Sequence, residues 1–247
     1  AKWSKELHEC FISNKEVEMA NMYVKSIFKN NAMSLIASII YMTAPYHLND
    51  MYLRYAVGEF AAFIFIPLVF AGLNSIIKKE ENKNYLFLII GASGLIVSHL
   101  LSSIITAIFS LIFLICNIKV LKDKDVLKKL IISVCSILLI TSYYWIPMVE
   151  TSIKSEYEVY EENKMSTVES VNFHRVGVKT LLSSKNNFQI HEIGIVTIVL
   201  VSVSIFTFKK IKKEDKKIYI VFLIFGITSI ILTTKIINWE KLPKQFL

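Results

Sequence analysis

Residues 85–118, YLFLIIGASGLIVSHLLSSIITAIFSLIFLICNI, are the stretch that decides the fold class. They form a run of 34 residues without Asp, Glu, Lys or Arg. A single helix of that length would extend about 51 Å, whereas the hydrocarbon core of a bilayer is about 30 Å thick. We therefore expect a hairpin of two short membrane helices, broken at Ser98–Ser103, the most polar part of the run.

The rest of the chain extends this pattern to an all-α, polytopic membrane bundle. Of its 247 residues, 54% are hydrophobic, and they cluster in long runs. We interpret residues 1–247 as a single transmembrane domain from a longer chain, because the sequence opens on Ala1 and a charged segment. Pro45 and Pro147 are expected to end the first and fifth spans. The predicted spans, about seven, are 33–45, 56–77, two within 85–118, 130–146, 190–208 and 218–234.

Lysine placement sets the predicted topology. The segments expected inside are 1–32, 78–83, 119–129 and 209–217, and those expected outside are 46–54, 147–190 and 235–247. The first group holds 19 Lys and Arg in 58 residues, against 9 in the 66 residues of the second. Because basic residues concentrate in short cytoplasmic loops, the N-terminal end is predicted inside and the C-terminal end outside, in the bacterial cytoplasmic membrane. The net charge of +8 thus follows topology, so membrane lipids are expected partners and nucleic acid is not.

Two segments outside the spans are long enough to have a role of their own. Residues 1–32 are predicted to be cytoplasmic, with residues 16–31 forming either an interfacial amphipathic helix or an extension of the first span. Residues 147–190 are the predicted extracytoplasmic loop. Its acidic and aromatic sequence Ser155–Glu162 is interpreted as a solvated loop, with contact to a sugar or peptide as the alternative.

The charged residues between the first two spans are the candidate site. Asp50 and Arg54 are four residues apart, so on a helix beginning near Asn49 they would share a face and pair. Glu59 is predicted to lie inside the outer leaflet, where an acid has to face protein or a water-filled cleft. Asp50 is interpreted first as a helix cap. For Glu59 an ion cluster that fixes helix packing and a functional carboxylate are equally favoured.

Two further residues are predicted to lie at the same outer rim. His99 is at the break of the long run, where it is either a structural turn residue or part of the lining of a cleft. Glu150 follows the aromatic sequence Tyr143–Trp145 near the end of the fifth span. The sequence has no metal-ligand spacing, Gly-rich phosphate loop or paired Cys motif, so no cofactor is evident and a divalent cation has no support.

Taken together, these residues resemble a known family. The chain is similar to the bacterial integral membrane family labelled 6-pyruvoyl-tetrahydropterin-synthase-related, which is in turn similar to the GT-C class of membrane glycosyltransferases. The end of the chain, 238–247, resembles the start of a further motif of that family. The residues that carry the likeness are Tyr41, Pro45, Tyr46, Asp50, Tyr52, Arg54, Gly58, Glu59, Pro67, Ser98, His99, Trp145, Pro147 and Glu150.

The resemblance implies a function at the outer face of the membrane. The chain would be the central membrane region of a GT-C-like glycosyltransferase, which takes a sugar from a polyprenyl-phosphate carrier to modify envelope polymers. Its catalytic acid would lie upstream of Ala1, as GT-C enzymes usually carry it in the first outer loop. Whether the chain itself is an enzyme stays open, with a transporter or flippase of a lipid-linked substrate, or a non-catalytic scaffold, as alternatives.

Specific roles follow for the candidate residues. Arg54 would hold the carrier phosphate, for which a guanidinium is suited. Glu59 would orient Arg54 or act as an acid or base, and His99 would line the cleft. Asp50 and Glu150 are further candidate binding residues. We expect the Glu59 and His99 side chains to face the bundle within about 12 Å of each other.

Overall fold

The structure is a computed structural model that describes residue 15 and residues 17–25, 31–80, 85–154, 195–206, 208–210 and 213–234. The regular secondary structure of these residues is helical, which confirms the predicted all-α fold class. The chain divides into two compact units, Ala1–Glu150 and Thr151–Leu247. The candidate site lies in the first unit.

Eight α-helices lie in the described part of the first unit, the last of them continuing a few residues beyond it. They are α1 at residues 17–25, α2 Asn31–Met42, α3 Pro45–Asn49, α4 Val57–Ile77, α5 Leu86–Ser98, α6 Leu100–Cys116, α7 Lys124–Ile140 and α8 Ser142–Lys154. A π-helical turn, Asp50–Arg54, follows α3 directly, and a 3₁₀ turn, Val120–Lys122, precedes α7.

The central helix of this unit is α4, which confirms the predicted span 56–77. It has 21 residues, and an 18-residue window within it reaches a mean hydropathy of 2.2. Every residue from Leu68 to Ile76 is buried. A helix that is apolar and buried on all sides needs neighbours on several faces, and α5, α6 and α7 all pack against it.

The helices α4 and α5 run antiparallel with their backbones almost in contact. A Cβ atom added at Gly72 would lie 2.3 Å from the backbone nitrogen of Leu88. Further along, a Cβ atom at Gly91 would lie 2.8 Å from the backbone nitrogen of Val69. Small residues let membrane helices approach this closely and pack by van der Waals contact. The two glycines therefore fix the register of α5 on α4.

The long apolar run breaks where the sequence predicted. His99 is the single residue between α5 and α6, and its backbone is extended at φ −156° and ψ 108°. Beyond the break, α6 runs back beside α4, because the ring of Phe113 lies 6.2 Å from that of Phe70 on α4, and Phe70 is level with the middle of α5. The pair α5–α6 is therefore the predicted hairpin of short helices.

Two of the lysine-rich segments meet at one end of the helix bundle. The Lys79 Nζ atom lies 2.5 Å from Asp123 Oδ2, and Lys129 Nζ donates to the carbonyl oxygen of Glu80 at 3.2 Å. The segments 78–80 and 119–129 were predicted to share one side of the membrane, and the structure brings them together. Their assignment to the inner side stays a prediction.

The fifth apolar segment differs from the prediction. Pro147 lies inside α8, and the chain breaks six residues earlier, at Thr141, where the helix axis bends by 65°. Proline removes a single backbone hydrogen bond, and α8 continues past it. The prediction that Pro147 ends the fifth span is therefore wrong. Because residues 147–154 are helical, the segment predicted as an outer loop from position 147 begins inside α8.

The first predicted span is shorter than a membrane crossing. The helix α2 has 12 residues, about 18 Å, which does not reach across about 30 Å of hydrocarbon. It ends at Met42, and Pro45 begins α3. Residues 17–25 of the predicted segment 16–31 are helical, and the Tyr23 ring lies 6.1 Å from that of Phe70, so α1 packs on α4.

The second unit contains α9, Ile195–Phe206, and α10, Lys213–Thr233, which fall on the sixth and seventh predicted spans. Within the described ranges, α4 is the one helix long and apolar enough to cross a membrane alone. The bent pair of α7 with residues 142–151 would be a second if it is one span. The number of seven spans and their orientation stay predictions, and residues 155–190 of the predicted outer loop lie outside the described residues.

Candidate functional site

The candidate site is built on the chain between α2 and α4. Pro45 is the first residue of α3, and Ala44 before it is extended at φ −57° and ψ 135°, as the steric demand of proline requires. The following turn Asp50–Arg54 is π-helical, a turn type that is frequent at functional sites. Tyr55 then adopts the left-handed conformation at φ 52° and ψ 36°, which costs a non-glycine residue about 1 kcal/mol or more. This costly turn separates Arg54 from the start of α4.

Arg54 is the centre of the site. Its Nη1 atom lies 2.5 Å from Asp50 Oδ1, 3.1 Å from the Tyr46 hydroxyl oxygen and 3.2 Å from Glu59 Oε2. The Tyr46 hydroxyl donates in turn to Glu59 Oε1. The predicted pairing of Asp50 with Arg54 is confirmed. Glu59 joins the same ion cluster from the first turn of α4.

Asp50 is the buried member of this cluster. Its relative exposure is 0%, whereas the side chain of Arg54 is 44% exposed. Removal from water raises the pKa of the Asp50 carboxyl to about 6, and the charge of Glu59 raises it further while Arg54 opposes the shift. Its Oδ2 atom has no hydrogen-bond partner in the described part of the chain. The ionised form of Asp50 is therefore costly to keep in the folded protein.

The interpretation of Asp50 as a helix cap is wrong. The span α4 begins at Val57, seven residues later, and its capping position is Ala56, which makes no side-chain hydrogen bond. Because the chain inserts a π-helical turn and a left-handed residue before α4, Asp50 lies outside that helix. Its side chain bonds Arg54 instead.

Tyr46 is the functional candidate that the residue pattern did not identify. Its hydroxyl bridges Arg54 and Glu59, and burial raises its pKa to about 12, with the hydrogen bond to Glu59 adding to the shift. The hydroxyl therefore remains a donor at physiological pH. Tyr46 lies 8 and 13 residues before its two partners, and because α3, the π-helical turn and α4 are separate elements, helical spacing does not predict these contacts.

An aromatic cluster holds α3 against α4. The ring of His47 stacks on that of Phe63 at a centroid distance of 3.8 Å, and the rings of Tyr41 and His47 form a T-shaped pair at 4.6 Å. The Tyr41 hydroxyl donates to the backbone carbonyl of Phe63 at 3.0 Å. Because α3 carries Tyr46 beside His47, this cluster positions the hydroxyl that contacts Arg54.

The outer edge of Arg54 remains available to a ligand. Arg54 makes its hydrogen bonds and ion pairs with described residues through Nη1. Its Nε and Nη2 atoms make none with those residues. Five apolar or aromatic side chains that neighbour Arg54 along the chain are 39% to 57% exposed, and we call them the apolar collar. The residues of this apolar collar are Leu48, Tyr52, Leu53, Tyr55 and Val57. A guanidinium edge on a segment that also exposes apolar side chains suits an amphiphile with an anionic head.

His99 and Glu150 have separate positions. His99 Nδ1 lies 2.8 Å from Ser102 Oγ and accepts from Ser102 N at 3.3 Å, so it caps α6. A Cβ atom added at Gly58 would lie 2.7 Å from the carbonyl oxygen of Ser98, so the break reaches the start of α4, where Glu59 also lies. The expected distance between Glu59 and His99 stays a prediction. Glu150 is exposed on α8.

Comparisons with known proteins give one match. A family model described as "Bacterial membrane protein YfhO" matches residues 17–242. No curated protein and no solved structure matches the chain. The match confirms a bacterial membrane family, whereas the pterin-synthase label suggested by the resemblance is not part of it. Among the described residues no three His, Cys, Asp or Glu side chains are grouped to hold a metal ion.

Proposed function

We propose the following function for this chain, which belongs to the bacterial membrane protein family YfhO. It is the central membrane region of a GT-C-like glycosyltransferase that modifies an envelope polymer. Its donor is a sugar linked to a polyprenyl phosphate, and the reaction takes place at the outer face of the cytoplasmic membrane. The observation that carries this proposal is the unused edge of Arg54 on the segment that exposes the apolar collar.

Arg54 is the contact for the carrier phosphate. Asp50 and Tyr46 fix the guanidinium through Nη1, so Nε and Nη2 are held ready for two parallel hydrogen bonds to phosphate oxygens. The collar residues Tyr52 and Val57, 56% and 57% exposed, offer apolar surface for the first prenyl units of the carrier. A soluble sugar phosphate would use only the guanidinium edge, and a free polyprenol would use only the apolar surface.

Charge balance assigns Asp50 a further role in binding. With both acids ionised, Arg54, Asp50 and Glu59 carry a net charge of −1, which repels a phosphate. Because the pKa of Asp50 is raised to about 6, this carboxyl takes up a proton more readily than an ordinary one. A phosphate beside Arg54 raises that pKa further. Binding is therefore coupled to proton uptake, and affinity increases as the pH falls towards about 6 and levels off below that value.

Glu59 acts in this scheme as the residue that orients Arg54. Both of its carboxylate oxygens are engaged, Oε1 by the Tyr46 hydroxyl and Oε2 by Arg54 Nη1. This supports the orienting role over the acid–base role among the two that the sequence suggested.

The experiment is a lipid-binding titration of the purified full chain by native mass spectrometry. Polyprenyl phosphate is compared with the matching polyprenol in the wild type, in Arg54→Gln and in a matched control, Lys154→Gln. Loss of a charge-assisted pair of hydrogen bonds costs about 1.5–3 kcal/mol, so Arg54→Gln weakens phosphate binding about 10- to 100-fold. Equal binding of polyprenol, or equal losses in Arg54→Gln and Lys154→Gln, would refute the proposal.

A transporter of a lipid-linked substrate is the second candidate, favoured by the helix breaks at His99 and Thr141. Broken helices line the substrate paths of many transporters. Reconstituted vesicles loaded with a fluorescent polyprenyl-phosphate lipid separate the two functions. Movement of the lipid between leaflets supports transport, and sugar transfer without it supports the enzyme. Normal envelope-polymer assembly in the double variant Arg54→Ala with Glu59→Gln would favour a scaffold.

A further inference from the structure

The helix α7 has one buried and one exposed side. Val126 and Ser133 are 2% and 0% exposed and face the bundle, where α5 and α4 pack against this helix. On the other side an apolar stripe of four residues is about half exposed, with values of 48%, 54%, 52% and 50% along the chain. The residues of the stripe are Leu127, Ile131, Val134 and Leu138.

Two lysines extend this stripe at the start of the helix. At about 100° per residue, Lys124, Lys128 and the four stripe residues fall within an arc of about 120°. Both lysines are exposed, and neither makes an ion pair with a described residue. The neighbouring lysines differ, since Lys79 pairs with Asp123 and Lys129 bonds the carbonyl of Glu80. Lys124 and Lys128 therefore have no ion-pair partner among the described residues, although the exposed Asp125 lies on the same turn, and they adjoin an apolar surface.

The dimensions of this face match one leaflet of a membrane. Lys128 and Leu138 are ten residues apart, which is about 15 Å along a helix axis. Half of a hydrocarbon core of about 30 Å has the same thickness. Further exposed lysines at positions 119 and 122 strengthen the positive potential at the same end. Positive charge at the headgroup level and apolar residues over the depth of a leaflet fit one chemical class of ligand.

We propose that the exposed face of α7 is a binding site for an anionic phospholipid. Lys124 and Lys128 hold the phosphate and the headgroup, and an acyl chain lies along Leu127, Ile131, Val134 and Leu138. Clusters of lysine at a membrane surface attract anionic lipids, and the stripe continues from the lysines without a polar interruption on that arc. This site is distinct from the Arg54 site and does not depend on the proposed glycosyl transfer.

The first test measures lipid selectivity. The full chain is purified in a mild detergent, and phosphatidylglycerol is titrated against phosphatidylcholine with native mass spectrometry as the readout. We expect a preference for phosphatidylglycerol, which weakens about fivefold per lysine removed, or about 25-fold for Lys124→Gln with Lys128→Gln. The matched control, Lys25→Gln with Lys154→Gln, removes the same charge elsewhere and leaves the preference unchanged. Equal losses in the two double variants, or no preference in the wild type, would overturn the proposal.

The second test asks whether the stripe takes part. The variant Ile131→Asn keeps both lysines and lowers affinity for phosphatidylglycerol, because an acyl chain would meet an amide at the middle of the stripe. Water-soluble glycerophosphoglycerol, which has the same headgroup without chains, serves as the competitor. If it displaces the lipid at equal concentration, the lysines bind phosphate alone and the lipid site is wrong. Circular dichroism and thermal unfolding of each variant show that the fold is kept, since all exchanged residues are exposed.

Discussion

Replacing Asp50 by Asn should remove a pH-dependent cost from the folded protein. The pKa of Asp50 is raised from its ordinary value of 3.8 to about 6, so the folded state binds this proton more tightly than the unfolded state. The resulting stabilisation is full below about pH 4 and is lost as the pH rises through about 6. At 1.36 kcal/mol per pKa unit, the wild type loses about 2 kcal/mol between pH 4.5 and pH 8 through this carboxyl.

The Asn variant keeps an oxygen that can accept from Arg54 but has no proton to lose. The free energy of unfolding of the wild type and Asp50→Asn is measured in detergent from pH 4.5 to pH 8, with Asp125→Asn as a control that removes an exposed carboxylate. We expect the difference between Asp50→Asn and the wild type to shift in favour of the variant by about 2 kcal/mol across this range. Parallel stability curves for these two proteins would show that burial of Asp50 does not govern its ionisation, and the account of the cluster would fail.

Three further changes test other parts of the structure. Gly72→Ala forces a methyl group against the backbone of α5 and should lower the free energy of unfolding by about 1–3 kcal/mol. The control Gly226→Ala, whose added Cβ atom would have no neighbour within 4 Å, should leave it unchanged. Thermal unfolding of the two variants tests this difference. Tyr46→Phe removes the hydroxyl that bridges Arg54 and Glu59, so polyprenyl-phosphate affinity should fall about fivefold, as for one hydrogen bond of about 1 kcal/mol; unchanged affinity would exclude a positioning role. His99→Ala should cost about 0.5–2 kcal/mol as a lost cap, and His99→Asn should restore most of it because Asn caps well; equal losses in both would contradict the capping role.

Periodicity and charge predicted the large features of the fold because they have long-range physical causes. The 34-residue uncharged run is too long for one crossing, and its polar middle is the cheapest place to turn, so the break at His99 followed from the sequence. The bend at Thr141 could not be predicted from the sequence. The Thr141 hydroxyl donates to the carbonyl oxygen of Ile137 in its own helix, and threonine makes this bond in straight and bent helices alike. Pro147 was the stronger local signal for a helix end, but the helix α8 continues past it.

The site was predictable in its charges and not in its geometry. Opposite charges four residues apart predicted the Asp50–Arg54 pair, which a π-helical turn satisfies as well as an α-helical one. The left-handed residue Tyr55 carries no sequence signal, since glycine or asparagine would be expected there. Because Tyr55 interrupts the helix, α4 begins only at Val57. With this break, Glu59 and Tyr46 both reach the same nitrogen of Arg54.

The hydrogen bonds at the His99 break have a consequence for how the protein enters the membrane. Ser98 Oγ donates to Gly94 O at 2.7 Å, Ser102 N donates to His99 Nδ1 at 3.3 Å, and Ser103 Oγ donates to Leu100 O at 2.6 Å. Each donor lies within four residues of its acceptor along the chain, so these three bonds need no polar group from α4 or α7. Local hydrogen bonds of this kind lower the cost of placing the break in hydrocarbon. We therefore expect α5 and α6, as the predicted hairpin, to insert into the membrane as one unit before α7 has been synthesised.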